Sequence, residues 1–363
     1  MSGRDIRGVA SIFDPTRLRV ARQAAMLRKK ELAERVGVSA AAVSQYESGT
    51  TSPTAKTVAA LSLALGVPAE YFIADRPLGE APTTAAHFRS LRATTQQERD
   101  RAFAHALQTW ELARTLEQFV RFPAFDLPVE LAIHPDDPLG AAEAAARVTR
   151  EALDLGTGPI ANVVRLLESK GIVCTRLPAQ TRRVFAFSCN FPNRPVVVLA
   201  AERSHRAAGR FDAAHELAHL LLHHDEEPGG HAVERQAHAF ASEFLAPASE
   251  IADELPRSVN WRALLDLKNI WGISIQALLF RARSIGVMTE HTYRRAVTEL
   301  NGRGWRTQEP GDDGRAEQPV MLARALEVLG ERGLGIDELA RHCRLSPETV
   351  ELLITSDDRP VVL

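Results

Sequence analysis

The residues of this chain best placed to do chemistry are two histidines four positions apart, with a glutamate directly after the first. His215, Glu216 and His219 lie in an apolar segment, residues 211–222, whose pattern predicts a buried helix. Four residues span about one helical turn, so both imidazoles project from the same side and can bind one zinc ion. Glu216 points away from the pair and can act as general base on the water that the metal activates.

The pattern His-Glu-x-x-His is a signature of zinc metallopeptidases that also occurs by chance. Catalytic zinc needs a third protein ligand and an open coordination position. One group of these enzymes uses a glycine and a histidine further along the chain, but here those positions hold Leu222 and Asp225. We therefore expect the third ligand on a later helix, for which residues 234–247 are the candidate. The alternative is a core helix that bears histidines, or a peptidase that has lost its activity.

Residues on both sides of the motif resemble a known family. They are Arg210-Phe211-x-x-Ala214-His215-Glu216-Leu217-Ala218-His219-Leu220-Leu221-Leu222-His223 and Glu234-x-x-Ala237-x-x-Phe240-Ala241-x-x-Phe244-Leu245-x-Pro247. This stretch is similar to the ImmA/IrrE metallopeptidases, and the likeness extends back to about Ile160. It implies a zincin-like domain that binds Zn2+ through His215, His219 and Glu234, with Glu216 as the general base.

One position departs from that family, because His238 stands where a small polar residue is more usual. His238 is one turn beyond Glu234 on the same face, so it is either an alternative ligand or a hydrogen-bonding partner of a ligand. The family likeness favours the second role. The other histidines nearby are expected at the surface or at helix ends: His223, His224 and His231. One of these, or Arg210, is a candidate for stabilising the tetrahedral oxyanion.

A second pattern, near the N-terminus, predicts a helix-turn-helix. Apolar residues recur there at helical spacing and include Leu18, Ala21, Ala25, Leu32, Ala33 and Val36. Gly37 can end one helix and Ser39 can cap the next, which we expect over residues 40–47. Residues 1–36 also carry nine lysines and arginines against four acidic residues, on a chain whose net charge is −2. A locally basic segment of this kind is typical of a small DNA-binding module.

The turn and its flanking helices carry a second family resemblance. The residues are Glu31-Leu32-Ala33-x-x-Val36-Gly37-Val38-Ser39 and Val43-Ser44-x-Tyr46-Glu47-x-Gly49-x-x-x-Pro53. The region from about residue 15 to residue 72 resembles the XRE (phage Cro/C1 repressor) family, which implies that residues 40–47 are the recognition helix in the major groove. The implied DNA contacts come from Lys29, Ser39, Ala40, Ala41, Ser44 and Gln45.

The predicted DNA contacts differ from the usual ones at the start of both helices. Ala40 and Ala41 can touch a thymine methyl group but cannot form a bidentate base contact, so Gln45 is the best direct reader. Arg28 and Lys29 replace the capping residue and the glutamine that the family usually carries. Loss of such a cap costs about 1 kcal/mol, although Lys29 can still pair with a phosphate.

The sequence divides into six expected segments. They are a helix-turn-helix domain (15–76), a linker and amphipathic helical connector (77–125), a metallopeptidase domain (126–250), a helical extension (251–300), a linker (301–318) and a C-terminal helical segment (319–363). The apolar stripe of the connector fits a core contact and a dimer contact equally well. Strand-like runs at 172–176, 184–188 and 195–199 predict a small sheet that leads into the metal-binding helix.

The last third of the chain twice repeats the spacing of a helix-turn-helix, around Gly272 and around Leu345. Both repeats have few outward basic residues. We therefore interpret them as packing or dimerisation elements rather than as further DNA readers.

The composition of the 363-residue chain is that of a globular protein of two or three domains, with 45% hydrophobic and 25% charged residues. No apolar run approaches the roughly 20 residues of a membrane span, and the N-terminus lacks the apolar segment of a signal peptide. Cys174, Cys189 and Cys343 suggest neither a disulfide framework nor a cysteine zinc site. We expect a cytoplasmic protein that does not associate with membranes.

These patterns together predict a mainly α-helical α+β protein with an all-helical N-terminal domain, a zincin-like domain and a helical C-terminal region. The expected function is regulation of transcription at double-stranded operator DNA, coupled to a zinc metalloendopeptidase. In the ImmA/IrrE family, separately encoded peptidases cleave XRE-type repressors, so the expected substrate is such a repressor or the protein itself. The alternative is a non-proteolytic regulator whose peptidase-like domain senses a ligand or metal. A homodimer is expected because XRE modules normally read two half-sites.

Overall fold

The computed structural model describes residues 6–73, 94–127, 136–178, 186–200, 206–223, 230–306, 308–311 and 316–355. Within these ranges the chain is mainly α-helical with one three-stranded sheet, which confirms the predicted α+β class. The expected linker at residues 77–84 lies outside the described residues. No helix in the described part of the chain is by itself long and apolar enough to cross a membrane.

Five short helices and a 3-10 turn form the N-terminal unit. They are α1 (Ile6–Ser11), α2 (Pro15–Ala24), α3 (Lys29–Val36), α4 (Ala40–Glu47), α5 (Ala55–Leu65) and the turn Ala69–Phe72. Gly37 ends α3 with a φ of 71°, a left-handed conformation that glycine adopts without strain. Ser39 then caps α4 by accepting a hydrogen bond from the N–H of Ala42. The predicted turn between the two helices is therefore present.

The start of α3 is capped from within its own first turn. Arg28 offers no side-chain oxygen to the helix, as the sequence indicates. The Glu31 carboxylate instead accepts hydrogen bonds from the backbone N–H of Arg28 at 2.7 Å and from its Nε at 3.0 Å. The backbone hydrogen bond from Arg28 lowers the pKa of Glu31. The backbone contact is one of the two hydrogen bonds of a capping box, and it compensates in part for the side-chain cap that Arg28 cannot provide.

The central part of the chain holds the sheet and the helices that cover it. They are α6 (Gln96–Leu116), α7 (Pro138–Ala152), α8 (Val163–Ser169), β1 (Val173–Arg176), β2 (Phe187–Cys189), β3 (Val196–Leu199), α9 (Arg206–Leu222), α10 (His231–Leu245) and α11 (Ala248–Ile251). β3 lies in the middle of the sheet, parallel to β1 and antiparallel to β2. Val196 and Val198 pack into the core that includes α6, whereas Val197 and Leu199 pack into the core that includes α9. All three strands are buried because both faces of the sheet are covered.

Six helices complete the described chain: α12 (Trp261–Trp271), α13 (Ile275–Ser284), α14 (Glu290–Gly302), α15 (Met321–Glu331), α16 (Ile336–Cys343) and α17 (Pro347–Thr355). Helices α12 to α14 join the core on the α9 side of the sheet. Helices α15 to α17 join the core on the α6 side. The C-terminal helices therefore contribute to the cores on both sides of the small sheet, and α15 and α17 also contact β1 directly.

Helix α6 lies between the N-terminal unit and the sheet and is buried over most of its circumference. Arg17 of α2 donates a hydrogen bond of 2.8 Å to Glu111 of α6. On the other side, His105 Nε2 of α6 lies 3.2 Å from Thr175 Oγ1 of β1. The apolar stripe of the connector therefore packs within the chain, and its use as a dimer contact stays a prediction.

Two buried glutamates link α8 and α15, because each belongs to one of these segments and binds the N-terminus of the helix in the other. Glu317, just before α15, accepts hydrogen bonds of 2.7 and 3.1 Å from the first two N–H groups of α8. Glu168, in the last turn of α8, accepts one of 2.9 Å from the N–H of Met321 at the start of α15. Each helix N-terminus is thus capped by a carboxylate from the other segment, which also complements its helix dipole.

Candidate metal centre and DNA-binding helix

His215, His219 and Glu234 converge at one point between α9 and α10. The Nε2 atoms of the two histidines are 3.1 Å apart. The Glu234 carboxylate lies 3.4 Å from Nε2 of His215 and 3.7 Å from Nε2 of His219. One ligand atom from each residue lies within 4.8 Å of the others. The four-residue spacing on α9 and the first turn of α10 therefore bring the three predicted ligands together.

The polar atoms of this cluster fit a bound cation. Both histidines are 1% exposed, so their facing nitrogens are shielded from water. Glu234 Oε1 is buried and has no hydrogen-bond partner among the described residues. A buried polar atom of this kind is costly unless something else satisfies it. Two imidazoles and one carboxylate are a common ligand set for catalytic zinc, which keeps a fourth position open.

Glu216 follows the first ligand on α9 and is held by the sheet. Its side chain is 1% exposed, and its Oε2 accepts a hydrogen bond of 2.8 Å from Ser188 Oγ. Ser188 is the middle residue of β2, and its neighbours Phe187 and Cys189 pack into the core on the opposite face. The alternation of side chains along β2 therefore directs Ser188 toward α9. Sequence reasoning missed Ser188 because nothing near it in the chain marks the contact.

Hydrogen bonds lead from His219 away from the ligand cluster. His219 Nδ1 lies 3.0 Å from His223 Nδ1, and His223 Nε2 lies 2.8 Å from Gln236 Oε1. An amide oxygen only accepts, so His223 carries its proton on Nε2 and accepts at Nδ1. His219 must then donate from Nδ1, which leaves the lone pair of its Nε2 directed at the metal site. With both rings neutral and the amide oriented in this way, the network is consistent with one tautomer of each ring.

The position of His223 corrects part of its sequence interpretation. It follows α9 directly, as expected of a residue at a helix end, but its side chain is 1% exposed and not at the surface. His231 is exposed at the start of α10, as expected. His224 lies outside the described residues. The signal that could have identified His223 is its spacing, since it stands four residues after His219 on the same helical face.

His238 lies beside the ligand cluster. Its ring centroid is 4.8 Å from that of His215 and 5.4 Å from that of Phe211. The ligand atoms that converge in the described structure are those of His215, His219 and Glu234, and His238 is not part of this group. His238 is therefore adjacent to the ligand His215 through a ring contact, and its role as a hydrogen-bonding partner of a ligand stays a prediction.

Arg210, five residues before the first ligand, is engaged with the C-terminal part of the chain. Its side chain is 1% exposed, pairs with the Glu317 carboxylate and donates a hydrogen bond of 2.6 Å to the carbonyl of Ile160. Gly272 packs against it so closely that a Cβ there would lie 2.9 Å from Arg210 Nε. Arg210 therefore anchors α9, and the structure gives no support for its suggested role at the oxyanion.

Helix α4 carries its predicted DNA contacts on one face. Among them, Ser39, Ala40, Ala41 and Gln45 are exposed, and Ser44 is half-buried. Val43 points the other way and is fully buried. Lys29 Nζ, at the start of α3, lies 3.5 Å from Glu47 Oε2 at the end of α4. Lys29 thus lies at the C-terminal end of α4, and its contact with a phosphate stays a prediction.

The two later repeats of the helix-turn-helix spacing are built into the core. Gly272 (φ 65°) forms the turn between α12 and α13, and Arg344 (φ 57°) forms the turn between α16 and α17. Buried residues of the second helix in each pair are Ile275, Leu278 and Leu279 in α13, and Val350, Leu353 and Ile354 in α17. This burial supports their interpretation as packing elements.

Comparison with known families identifies two units of the chain. A family model described as Helix-turn-helix matches residues 18–72, and one described as the IrrE N-terminal-like domain matches residues 167–283. The second match contains the sheet, α9 and α10, and with them all three predicted metal ligands. A search among curated proteins found no match. The chain therefore joins an XRE-type helix-turn-helix domain, the DNA-binding part of a regulator, to an IrrE/ImmA-like peptidase domain.

Proposed function

We propose that the protein is a transcription regulator whose IrrE/ImmA-like domain is an active zinc metalloendopeptidase. The observation that carries this proposal is the convergence of His215, His219 and Glu234 beside Glu216. A domain that only bound metal would have no need of a carboxylate fixed next to the ligands. The hydrogen bond from Ser188 to Glu216 supports a positioned general base.

The reaction we propose is hydrolysis of a peptide bond. His215, His219 and Glu234 hold Zn2+, which when bound supplies a Lewis acid that activates water and polarises the scissile carbonyl. Glu216 accepts the proton of the attacking water and passes it to the leaving nitrogen. Ser188 fixes the side chain of Glu216 so that it is in place before the substrate arrives.

We further propose that α4 enters the major groove of double-stranded operator DNA. Gln45 reads a base edge there, and Lys29 contacts a phosphate. The protein acts in the cytoplasm as a homodimer that reads two half-sites. The peptidase substrate is an XRE-type module, which belongs either to a separate repressor or to this protein. In the second case the cut falls within residues 77–84.

A second candidate function is a non-proteolytic regulator that uses the same domain to sense a metal or ligand. The observation that favours it is burial, since His215, Glu216 and His219 are each 1% exposed in the described structure. A polypeptide substrate can reach these residues only if the surface around them opens, whereas an ion needs far less room.

Zinc content and cleavage, measured on the same preparations, separate the two candidates. Wild type is purified without added metal beside Glu234→Ala, His238→Ala and Glu216→Gln. Cleavage of the full chain and of an XRE-type repressor is followed by mass spectrometry. The peptidase proposal expects about one zinc ion per chain in all but Glu234→Ala. It also expects cleavage by wild type that Glu216→Gln abolishes without loss of zinc.

Two other outcomes would contradict the peptidase proposal, each in a different way. Zinc in the wild type without cleavage under any inducing condition would favour the sensor. Absence of zinc even after reconstitution would remove the metal site and leave only the DNA-binding half of the proposal.

A further inference from the structure

A groove lies on the side of the molecule formed by residues 120–123, α8 and α15. Its volume is about 320 Å³, the lower end of the range for small-molecule sites. Its apolar lining includes Val120, Phe122, Met321, Ala325 and Val328. None of its lining residues belongs to α9 or α10, so the groove is separate from the candidate metal centre.

The polar lining of the groove is mostly positive. Arg121, Arg165 and Arg324 line it and are exposed. None of the three is within ion-pairing distance of a carboxylate among the described residues. The acidic lining residue is Glu168, so three arginines against one glutamate leave an excess of two positive charges.

The carboxylate of Glu168 is already engaged by the backbone. Its oxygens accept hydrogen bonds from the N–H groups of Val320 and Met321, each at 2.9 Å. Glu168 therefore satisfies the start of α15. Burial raises the pKa of Glu168, and its backbone hydrogen bonds and the nearby charges of Arg165 and Arg324 oppose that rise, but it forms no ion pair with them. Arginine groups around an apolar lining are suited to an anion with an apolar body.

We propose that this groove binds a small aromatic carboxylate. Arg194 Cζ lies over one face of the Phe122 ring, 5.6 Å from its centroid, so the remainder of that ring and the Met321 thioether are what favour a flat aromatic body over an extended alkyl chain. The planar guanidinium groups of Arg165 and Arg324 bind the carboxylate with paired hydrogen bonds. The groove takes a free small molecule because its size is that of a compact ligand and not of a peptide or a lipid surface.

The probe for this site is naphthoate, titrated into the full-length protein by isothermal calorimetry. Naphthamide is the matched probe, since it keeps the shape and loses the charge. The double variant Arg165→Gln/Arg324→Gln removes the proposed carboxylate contacts. Both positions are exposed, so the double variant is expected to fold normally. Arg262→Gln, an exposed arginine on α12 outside the groove, is the control variant.

We expect saturable binding of naphthoate at one site per chain, weaker by about tenfold or more in the double variant and unchanged in Arg262→Gln. Naphthamide should bind at least about tenfold more weakly than naphthoate, because it gives the arginines no charge to pair with. Three results would each overturn the proposal: no saturable binding by the wild type, equal binding of the two probes, or full affinity in the double variant. The metal centre takes no part in this test, so its outcome is independent of the peptidase proposal.

Discussion

Ser188 Oγ donates a hydrogen bond of 2.8 Å to Glu216 Oε2, and both side chains are buried. The two residues are 28 positions apart, one on β2 and the other on α9. A hydrogen bond to a charged group contributes about 1.5–3 kcal/mol, and more is lost when its removal leaves a buried partner unsatisfied. The sheet thus sets the position of the carboxylate that we propose as the general base.

Replacing Ser188 by alanine should therefore slow peptide cleavage while leaving the metal in place. We expect Ser188→Ala to keep its zinc and to lose about tenfold or more in kcat, with little change in KM. Steady-state kinetics on a peptide that contains the cleavage site would measure both constants. Ser284→Ala is the control, since the Ser284 hydroxyl bonds to a backbone carbonyl on α13. Similar losses in the two variants would mean that Ser188 acts only through stability.

The hydrogen bonds from His219 to His223 and on to Gln236 predict an effect on metal affinity. Without His223 the His219 ring loses the partner that fixes its tautomer and orientation, so His223→Ala should bind zinc about 10–100-fold more weakly. Gln236→Glu keeps an acceptor oxygen at the end of the network and should retain the affinity. Competition with a chromophoric chelator gives the affinities, and circular dichroism verifies folding. His231→Ala, at an exposed position on α10, is the control. Unchanged affinity in His223→Ala would show that the network does not orient the ligand.

The base contact and the phosphate contact proposed for the helix-turn-helix predict different losses of DNA-binding affinity when each is removed. Gln45→Ala should cost about 1–3 kcal/mol at the preferred operator and relax the base preference at one position. Lys29→Ala should weaken binding to all sequences alike and reduce the slope of log affinity against log salt by about 1. Binding isotherms on operator and unrelated duplexes, over a range of salt, distinguish the two. A uniform loss in Gln45→Ala would contradict its role as a base reader.

His105 on α6 predicts a loss of stability in acid. Burial, and then the charge of Arg101, lower the pKa of His105 to about 4, below the roughly 6.5 of an unfolded histidine. Between these values the unfolded chain binds a proton that the folded chain does not. The contribution of neutral His105 to the free energy of unfolding is therefore complete above about pH 6.5 and falls as the pH drops toward about 4. Between pH 7 and pH 5 this loss amounts to about 2 kcal/mol.

The test for His105 compares the pH dependence of unfolding in two proteins. Urea unfolding of wild type and His105→Gln at about pH 7 and about pH 5 gives the change in free energy for each. The variant has no imidazole to protonate, so its stability should fall less over this interval by about 2 kcal/mol. Parallel losses in the two proteins would show that other groups carry the acid sensitivity.

The pair of Arg210 and Glu317 predicts a large loss of stability when one partner is removed. Glu317→Ala leaves the Arg210 guanidinium buried without its carboxylate and uncaps the first turn of α8, so we expect a loss of about 3–5 kcal/mol. Glu290→Ala is the control, because its ion pair with Arg294 is exposed and should matter far less. Thermal and urea unfolding measure both variants. Equal effects would rule out a special role for the buried pair.

The sequence predicted what depends on short-range spacing and missed what depends on long-range contact. Gly37 and Ser39 define the turn before α4 because both act within a few residues of themselves. His215 and His219 could be paired because the helix repeat fixes their distance, and the family likeness supplied Glu234. Ser188 could not be assigned to Glu216 by spacing, because the contact depends on which face of β2 meets α9.

The same limit applies to the larger architecture. The apolar stripe of α6 is compatible with several partners, and only the folded chain shows that α2, the sheet and the C-terminal helices all pack against it. Glu317 caps a helix that begins 154 positions earlier. No local pattern indicates a partner at that separation. In the sequence, Glu317 has the pattern of an ordinary solvated glutamate, and the first residues of α8 have the pattern of an ordinary helix start.

The exchange of carboxylates between α8 and α15 has a consequence for biosynthesis. The N–H groups that begin α8 leave the ribosome long before Glu317, which caps them and pairs with Arg210, has been translated. Until then the start of α8 and the Arg210 guanidinium lack their buried carboxylate, whereas the helix-turn-helix has all of its helices once residue 72 has emerged. A growing chain thus acquires its DNA-reading unit first. The IrrE-like domain acquires its contacts with Glu317 only after residue 317 has been translated.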